Sequence, residues 1–377
     1  MEKAMSRIAI IDHVGVKAGM DYYSSSLAKG FIESGCECSV FSNFTGIEAE
    51  SIEYYPYYEG HGVGKLIKFM RVLKATFQSV SQARKEKADL VIIHVFAANM
   101  LTLFRVLLPK LFGLKLAVIV HDVSSFVGAD KSMIQNLVYN KLADYIVVHN
   151  QYSYEEFFKS IHIQEKDKVV VIKHGGYLDH IRKPLSKEFA RKELKLDVYG
   201  KYILFFGQIK HVKGLDVLLK AMAKLPKDIQ LIIAGKPWKA DFGGYDEQIE
   251  KYGLSDRVIK MIRFIEDEER ELLFFATDVN VLPYRVIYQS GVLLMAMSHG
   301  LPVIASDLPA NKEIIKHGES GLLFCSENAE DLAEKVECFF QGGGTQEKLA
   351  ALALQVIKND YAWRSIAEDY LKMLANK

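Results

Sequence analysis

Short apolar runs and stretches of helical period alternate along almost the whole chain. Runs rich in Val, Ile and Leu fall at 8–12, 38–42, 90–94, 116–120, 145–149 and 169–173, and again at 202–206, 230–234, 258–262, 279–282, 302–305 and 321–324. They are apolar at nearly every position and do not alternate, so they read as strands buried on both faces, in parallel sheets covered by helices. The rhythm lapses between 174 and 201, where Gly175, Gly176 and Pro184 stand in a polar context. That lapse predicts a junction between an N-terminal α/β domain over 1–177 and a second over 178–360, with a cleft between them. Sheets of this class take ligands at the carboxyl ends of their strands, so function is sought in the loops there.

The densest signal is VLPYRVIYQSGVLLMAMSHGLPVIASD at 281–307. A strand breaks at Pro283-Tyr284, order resumes at Gln289-Ser290-Gly291, and a buried helix follows with Gly300 where a C-cap is wanted. A Ser-Gly pair opening a helix leaves backbone N–H groups unshielded, and the helix dipole adds roughly half a positive charge, which suits a phosphate or diphosphate. The same residues also read as an ordinary serine N-cap. The second half opens with YILFFGQIKHVKGLDVLLKA at 202–221, where Lys210, His211 and Lys213 lie between Gly207 and Gly214. Two lysines facing the helix start at Ser290-Gly291 would form a cationic clamp for a diphosphate.

In the first half, the loop from His13 to Gly19 joins a strand to a helix beginning near Met20, and its glycines permit either close approach to a ligand or a tight turn. KLAVIVHD at 115–122 is a buried strand ending in His121-Asp122. A histidine at a strand's carboxyl end can bond a substrate hydroxyl, act as acid or base, or cap the loop, and Asp122 could orient its ring. His174-Gly175-Gly176 reads as a hinge turn. From 62 to 87 runs a basic amphipathic helix, and residues 62–115 hold ten Lys/Arg against Glu86 and Asp89, a net of +8. Such a helix can rest on an anionic membrane, or its apolar stripe can pack in the core beneath a solvated basic face. A last helix is expected over 362–374.

With 377 residues the chain exceeds one ordinary core, and 50% hydrophobic with 25% charged residues is a globular composition. A net charge of +1 gives no global field for nucleic acid. Cys36, Cys38, Cys325 and Cys338 have no CxxC spacing and read as reduced thiols of a cytoplasmic protein. No signal peptide precedes the first strand, and the most apolar region, 88–120, is broken by polar residues too often to span a membrane. The acidic run Glu266 to Glu269 complements a helix start, and with no DxD motif in the chain no metal dependence is expected.

On GQIKHVKGLDVLLKA at 207–221, DVNVLPYRVIYQSGVLLMA at 278–296, HGLPVIASD at 299–307, VIVHD at 118–122 and the terminal helix, the chain resembles the GT-B glycosyltransferases of family 4 (glycosyltransferase group 1) over nearly its whole length. The resemblance implies an α/β GT-B fold: two Rossmann-like parallel-sheet domains facing across a cleft, with the C-terminal helix at 361–377 returning to the N-terminal domain. It implies a donor site in the C-terminal domain formed by Gly207, Gln208, Lys210, Lys213, Tyr284, Gln289, Ser290, Gly291 and Val292, approached by Gly19. Lys213 matches the family's diphosphate-binding lysine, and Lys210 takes the place of a partner arginine. His121 matches the histidine that contacts the transferred sugar. Most members carry two glutamates in this segment, the second gripping the ribose; here Ile287 and Met295 stand at those positions, and methionine is only a weak acceptor.

These readings imply metal-independent transfer, without a cofactor, of a sugar from a nucleoside diphosphate sugar to a glycan or lipid-linked acceptor, with retention of configuration. The acceptor is expected on the N-terminal domain, at the inner face of the membrane if the basic region docks there, and no nucleic acid partner is expected. A non-catalytic partner subunit, suggested by the missing glutamates, and a nucleotide-sugar 2-epimerase are the alternatives. An NAD-dependent oxidoreductase is disfavoured because no GxGxxG follows the first strand.

Overall fold

The computed structural model describes residues 5–16, 19–46, 51–58, 64–121, 132–181, 183–239 and 241–376, with the side chains of Lys65 and Ser132 excepted. The chain forms two compact units, Met1–Gly175 with Tyr361–Lys377, and Gly176–Asp360. The division falls at the paired glycines, two residues ahead of the expected boundary. The expected polar lapse is not structureless: Ser186 caps a helix, Lys187–Glu193, from which Lys187 and Arg191 both bind Asp278.

The first unit holds seven strands, β1 (Arg7–Ile11), β2 (Glu37–Phe41), β3 (Ile52–Tyr55), β4 (Leu90–Val95), β5 (Leu116–Val120), β6 (Tyr145–Val148) and β7 (Val169–Val171). All pair in parallel, in the order β3-β2-β1-β4-β5-β6-β7. The central strands β4 and β5 are buried at every residue, which is why they read as continuous apolar runs. Sequence reading missed β3, a short edge strand whose Tyr55 stacks on Phe41 of β2 at 4.9 Å. The strand order reverses direction between β1 and β4, so the crevice of this unit opens at their carboxyl ends. Helix α1 (Met20–Glu33) and the terminal helix Trp363–Ala375 cover one face together. Gly30 makes this possible, because a Cβ there would collide with the Trp363 carbonyl, and Phe31 meets Tyr370 edge-on.

The other long helices of this unit are α2 (Lys65–Lys85) and α3 (Met100–Leu111). Ala75, Val80 and Ala83 bury the second half of α2. Its first half does not follow the packed-stripe alternative: every residue from Leu66 to Arg71 is exposed, including four large apolar side chains.

The second unit holds β8 (Lys201–Phe206), β9 (Ile229–Ala234), β10 (Val258–Met261), β11 (Val279–Leu282), β12 (Val303–Ser306) and β13 (Leu322–Phe324), all parallel, in the order β10-β9-β8-β11-β12-β13. Its reversal lies between β8 and β11. The two loops singled out in the sequence are the ones that leave these two strands.

Candidate functional site

In the second unit, the loop after β8 is held on both sides. Toward β9, Ile209 N–H donates to the Lys236 carbonyl and Trp238 N–H to the Ile209 carbonyl, carrying strand pairing past the strand ends. Toward β11, Gly214 is left-handed at φ 67° and presses on the Pro283 carbonyl so closely that any Cβ would clash. Arg285 clasps the junction. Its guanidinium takes both oxygens of Asp216 at 2.8 and 2.7 Å, donates to the His211 carbonyl at 2.8 Å and reaches Glu327, while its own N–H bonds the Val212 carbonyl. Partial burial would raise the Asp216 carboxyl, but this bidentate partner holds it below the ordinary range. Sequence reading passed over Arg285, whose partners Asp216 and His211 lie 69 and 74 positions back along the chain and Glu327 42 ahead.

The lysines lean to opposite sides. Lys213 Nζ sits 3.7 Å from the centroid of Tyr284, in the loop after β11, whereas Lys210 Nζ sits 4.8 Å from that of Trp238, in the loop after β9. The expected twin clamp is therefore not closed in this conformation. Ser290 acts as an N-cap, its buried Oγ accepting from Leu293 N–H at 3.2 Å at the head of the helix Gly291–Ser298. That leaves the N–H groups of Gly291 and Val292 without partners among the described residues. Val292 also borders Gly207, where a Cβ would stand 3.4 Å from its Cγ2. Gly207, Lys213, Tyr284, Ser290, Gly291 and Val292 thus converge on the switch between β8 and β11. Gln208 is exposed and Gln289 half-buried beside them, Ile287 is half-buried and Met295 is buried.

A second feature was missed. A cavity of about 410 Å³ opens past the carboxyl ends of β9 and β10, lined by Lys236, Pro237, Phe242, Ile262, Arg263 and Phe264. It carries no motif, and only the rule that every strand end deserves inspection would have found it. Two carboxylates of the nearby acidic run are engaged, Glu269 by Arg263 and Asp267 by Arg270.

In the first unit, His13, His94, His121, His149 and His174 lie at the carboxyl ends of β1, β4, β5, β6 and β7, five consecutive strands of the sheet. Four of them surround the ring of Tyr23, with centroids 4.9 to 5.6 Å away. Burial holds all five imidazoles low: His94 and His149 to about 4, His174 to about 3, His13 to about 2, and His121 well below 6.5. Arg105 is almost wholly buried in contact with His94 and His13, and its Nε and Nη2 have no partner among the described residues. Gly19 is left-handed at φ 72° and opens α1. Lys17, Ala18 and Asp122 lie outside the described residues, so Asp122 gives no account of how His121 is oriented.

Two family models match the chain, "Glycosyltransferase Family 4" over residues 18–179 and "Glycosyl transferases group 1" over 186–355. The spore coat protein SA of Bacillus subtilis is 26% identical over 201 residues, 49% of this chain and 52% of that protein. The lipopolysaccharide core biosynthesis mannosyltransferase LpsB of Rhizobium meliloti is 31% identical over 178 residues, 45% of this chain and 50% of its own length. The matches thus span about half the length of these curated relatives. The crystal structure of Anabaena HepE in complex with UDP and glucose superposes with a TM-score of 0.74 at 18% identity, covering 99% of this chain and all of that one. The chain belongs to the family 4, group 1 glycosyltransferases and has the two Rossmann-like sheets of the GT-B fold.

Proposed function

We propose that the chain transfers a sugar from a nucleoside diphosphate sugar to a hydroxyl of a glycan or lipid-linked acceptor, with retention of configuration. The observation that carries this is the convergence at the β8/β11 switch of Lys213 with two N–H groups at a helix start that have no partner among the described residues. A diphosphate there would meet one cation and a positive helix end, and Lys210 would turn from Trp238 to add the second cation. The cavity past β9 and β10 supplies an aromatic and cationic seat for the nucleobase. Likeness to a protein crystallised with UDP and to a mannosyltransferase supports the same reading.

In the step itself, the bond from the sugar's anomeric carbon to the phosphate oxygen breaks as the acceptor oxygen bonds that carbon on the same face. The acceptor proton passes to the departing phosphate oxygen. Lys213, Lys210 and the N–H groups of Gly291 and Val292 stabilise the charge that builds there, and His121 contacts the sugar. A thermal-shift screen with UDP-, GDP-, ADP- and dTDP-sugars tests the donor site, because a specific ligand raises stability by mass action. No shift with any of them would overturn the reading. Met295, standing where relatives grip the ribose with a carboxylate, favours one alternative, a subunit that binds nucleotide without transfer; a donor-induced shift with no product across acceptors would select it.

The same proposal sets the protein on the anionic inner face of a membrane through α2 and α3. Leu66, Met70, Phe77, Met100 and Leu111 are all exposed on these helices, and neither helix contains an acidic residue. A second copy would bring the same positive face to the contact, whereas anionic lipid takes both the charge and the apolar surface. No helix among the described residues is long and apolar enough to cross a membrane.

A further inference from the structure

The hydrogen bonds behind His121 fix where its proton sits. Asp12 is fully buried, and its Oδ1 accepts from the N–H groups of Val14 and Gly15 at 2.9 and 3.0 Å. Its Oδ2 accepts the Ser24 hydroxyl at 3.0 Å. With its only proton committed to that carboxylate, the Ser24 oxygen can offer His94 nothing but a lone pair. His94 Nε2, 3.3 Å away, must then carry hydrogen. A neutral imidazole protonated on Nε2 is bare on Nδ1, and His94 Nδ1 lies 2.8 Å from His121 Nε2. The hydrogen in that contact therefore belongs to His121, whose Nδ1 is left as a lone pair. Burial keeps both rings neutral at ordinary pH, so the tautomer and not the charge decides what they can bind.

Neighbouring histidines are set the other way. The Nδ1 atoms of His149 and His174 face the carbonyls of Ile172 and Gly175 at 3.0 and 2.7 Å, and a carbonyl only accepts. Those two rings carry hydrogen on Nδ1. The His121 ring is further pinned by Phe96, stacked at 4.7 Å and 11°, and by the edge of Tyr23. His121 is half-buried, and no described group bonds its Nδ1.

We propose that His94 is a positioning residue which, held by Ser24 and Asp12, locks His121 in the Nε2–H tautomer, so that the Nδ1 lone pair accepts a hydrogen bond from a sugar hydroxyl. In this state His121 cannot donate to a phosphate or a carbonyl, so it selects a ligand O–H. The ligand half of the proposal rests on the glycosyltransferase reading; the tautomer half does not.

The deciding measurement is long-range ¹H–¹⁵N correlation on the full chain, labelled at histidine nitrogen and free of ligand, with signals assigned by single histidine substitutions. His94 and His121 are expected to carry hydrogen on Nε2, and His149 and His174 on Nδ1. Hydrogen on Nδ1 of His121, or averaging between its two nitrogens, would overturn the proposal whatever the protein catalyses. In Ser24→Ala, His94 and His121 should each become a tautomer mixture, with circular dichroism unchanged, and Ser24→Thr should restore the single form. If transfer is detected, Ser24→Ala should lower kcat/KM about tenfold, as for loss of one hydrogen bond, with recovery in Ser24→Thr. Unchanged kcat/KM in Ser24→Ala with scrambled tautomers would remove the sugar contact from the proposal.

Discussion

Lys213, set over the Tyr284 ring, and Arg105, which bonds His13, are both cations, yet opposite outcomes are expected from removing them. Lys213 is half-buried over Tyr284, at the junction proposed to bear the leaving group's charge. Lys213→Ala should lower kcat with saturating donor by roughly a hundredfold or more, about 3 kcal/mol of barrier, while the fold is kept. Near-normal turnover in a donor-saturated assay would refute that role. Arg105 is desolvated, and two of its nitrogens lack partners among the described residues, so its long bonds to His13 and the His94 carbonyl repay only part of its burial. Arg105→Met should raise ligand-free stability, read as a higher urea midpoint, because desolvation outweighs the attraction of the buried Asp12 carboxylate. A lower midpoint would mean that its bonds to the His94 carbonyl and His13 outweigh the cost of burying it. At this scale the sequence marked Lys213, Ser290 and His121 as candidates, because the signal for each lies in its immediate neighbours. It hid Arg285, the histidine row and the cavity past β10, which exist only once distant strands lie side by side.

Among the elements, α2 best separates what periodicity reveals from what it withholds. The spacing of Leu66, Met70, Leu73 and Phe77 marks an apolar stripe, but no stripe says whether anything in the chain covers it. Ala75, Val80 and Ala83 in the second half of α2 are covered, whereas Leu66, Met70 and Phe77 of the stripe are not. Leu66→Glu with Met70→Glu places two carboxylates on exposed positions, so folding stability should change by less than about 0.5 kcal/mol. Flotation with vesicles containing phosphatidylserine should then fall at least tenfold, since each change removes apolar contact and adds like charge against the lipid. Equal flotation of variant and parent, or none by the parent, would sink the membrane reading. The parallel strands were the most legible elements, since β4 and β5 are apolar at consecutive positions because both faces are buried. β3 escaped because an edge strand buries only one of its four residues.

For the whole molecule, the unequal sharing of buried histidines predicts unequal response to acid. In the first unit His94 and His149 are held to about 4, His174 to about 3, His13 to about 2 and His121 well below 6.5, with the Arg105 cation adding to the resistance of His94 and the buried Asp12 opposing it. In the second unit His299 is held to about 4. The unfolded chain takes up these protons near pH 6.5, whereas the folded units refuse them until about pH 4. Between those values the unfolded state binds more protons, so stability is intact above the window and falls as pH drops through it. Five refused protons correspond to a slope of up to about 7 kcal/mol per pH unit in the first unit, against about 1.4 for one proton in the second. The chain's two tryptophans are divided between the units, Trp363 buried against Tyr23 and His174 in the first and Trp238 half-exposed in the second. Trp238→Phe therefore leaves a reporter for the first unit and Trp363→Phe one for the second. In urea titrations followed by fluorescence, the Trp363 midpoint should fall steeply between about pH 7 and pH 5 and the Trp238 midpoint far less. Parallel falls in the two would show that the units unfold as one body. A flat Trp363 midpoint would show that the histidine row takes up protons without unfolding, through water reaching the rings from the carboxyl ends of β4 and β5.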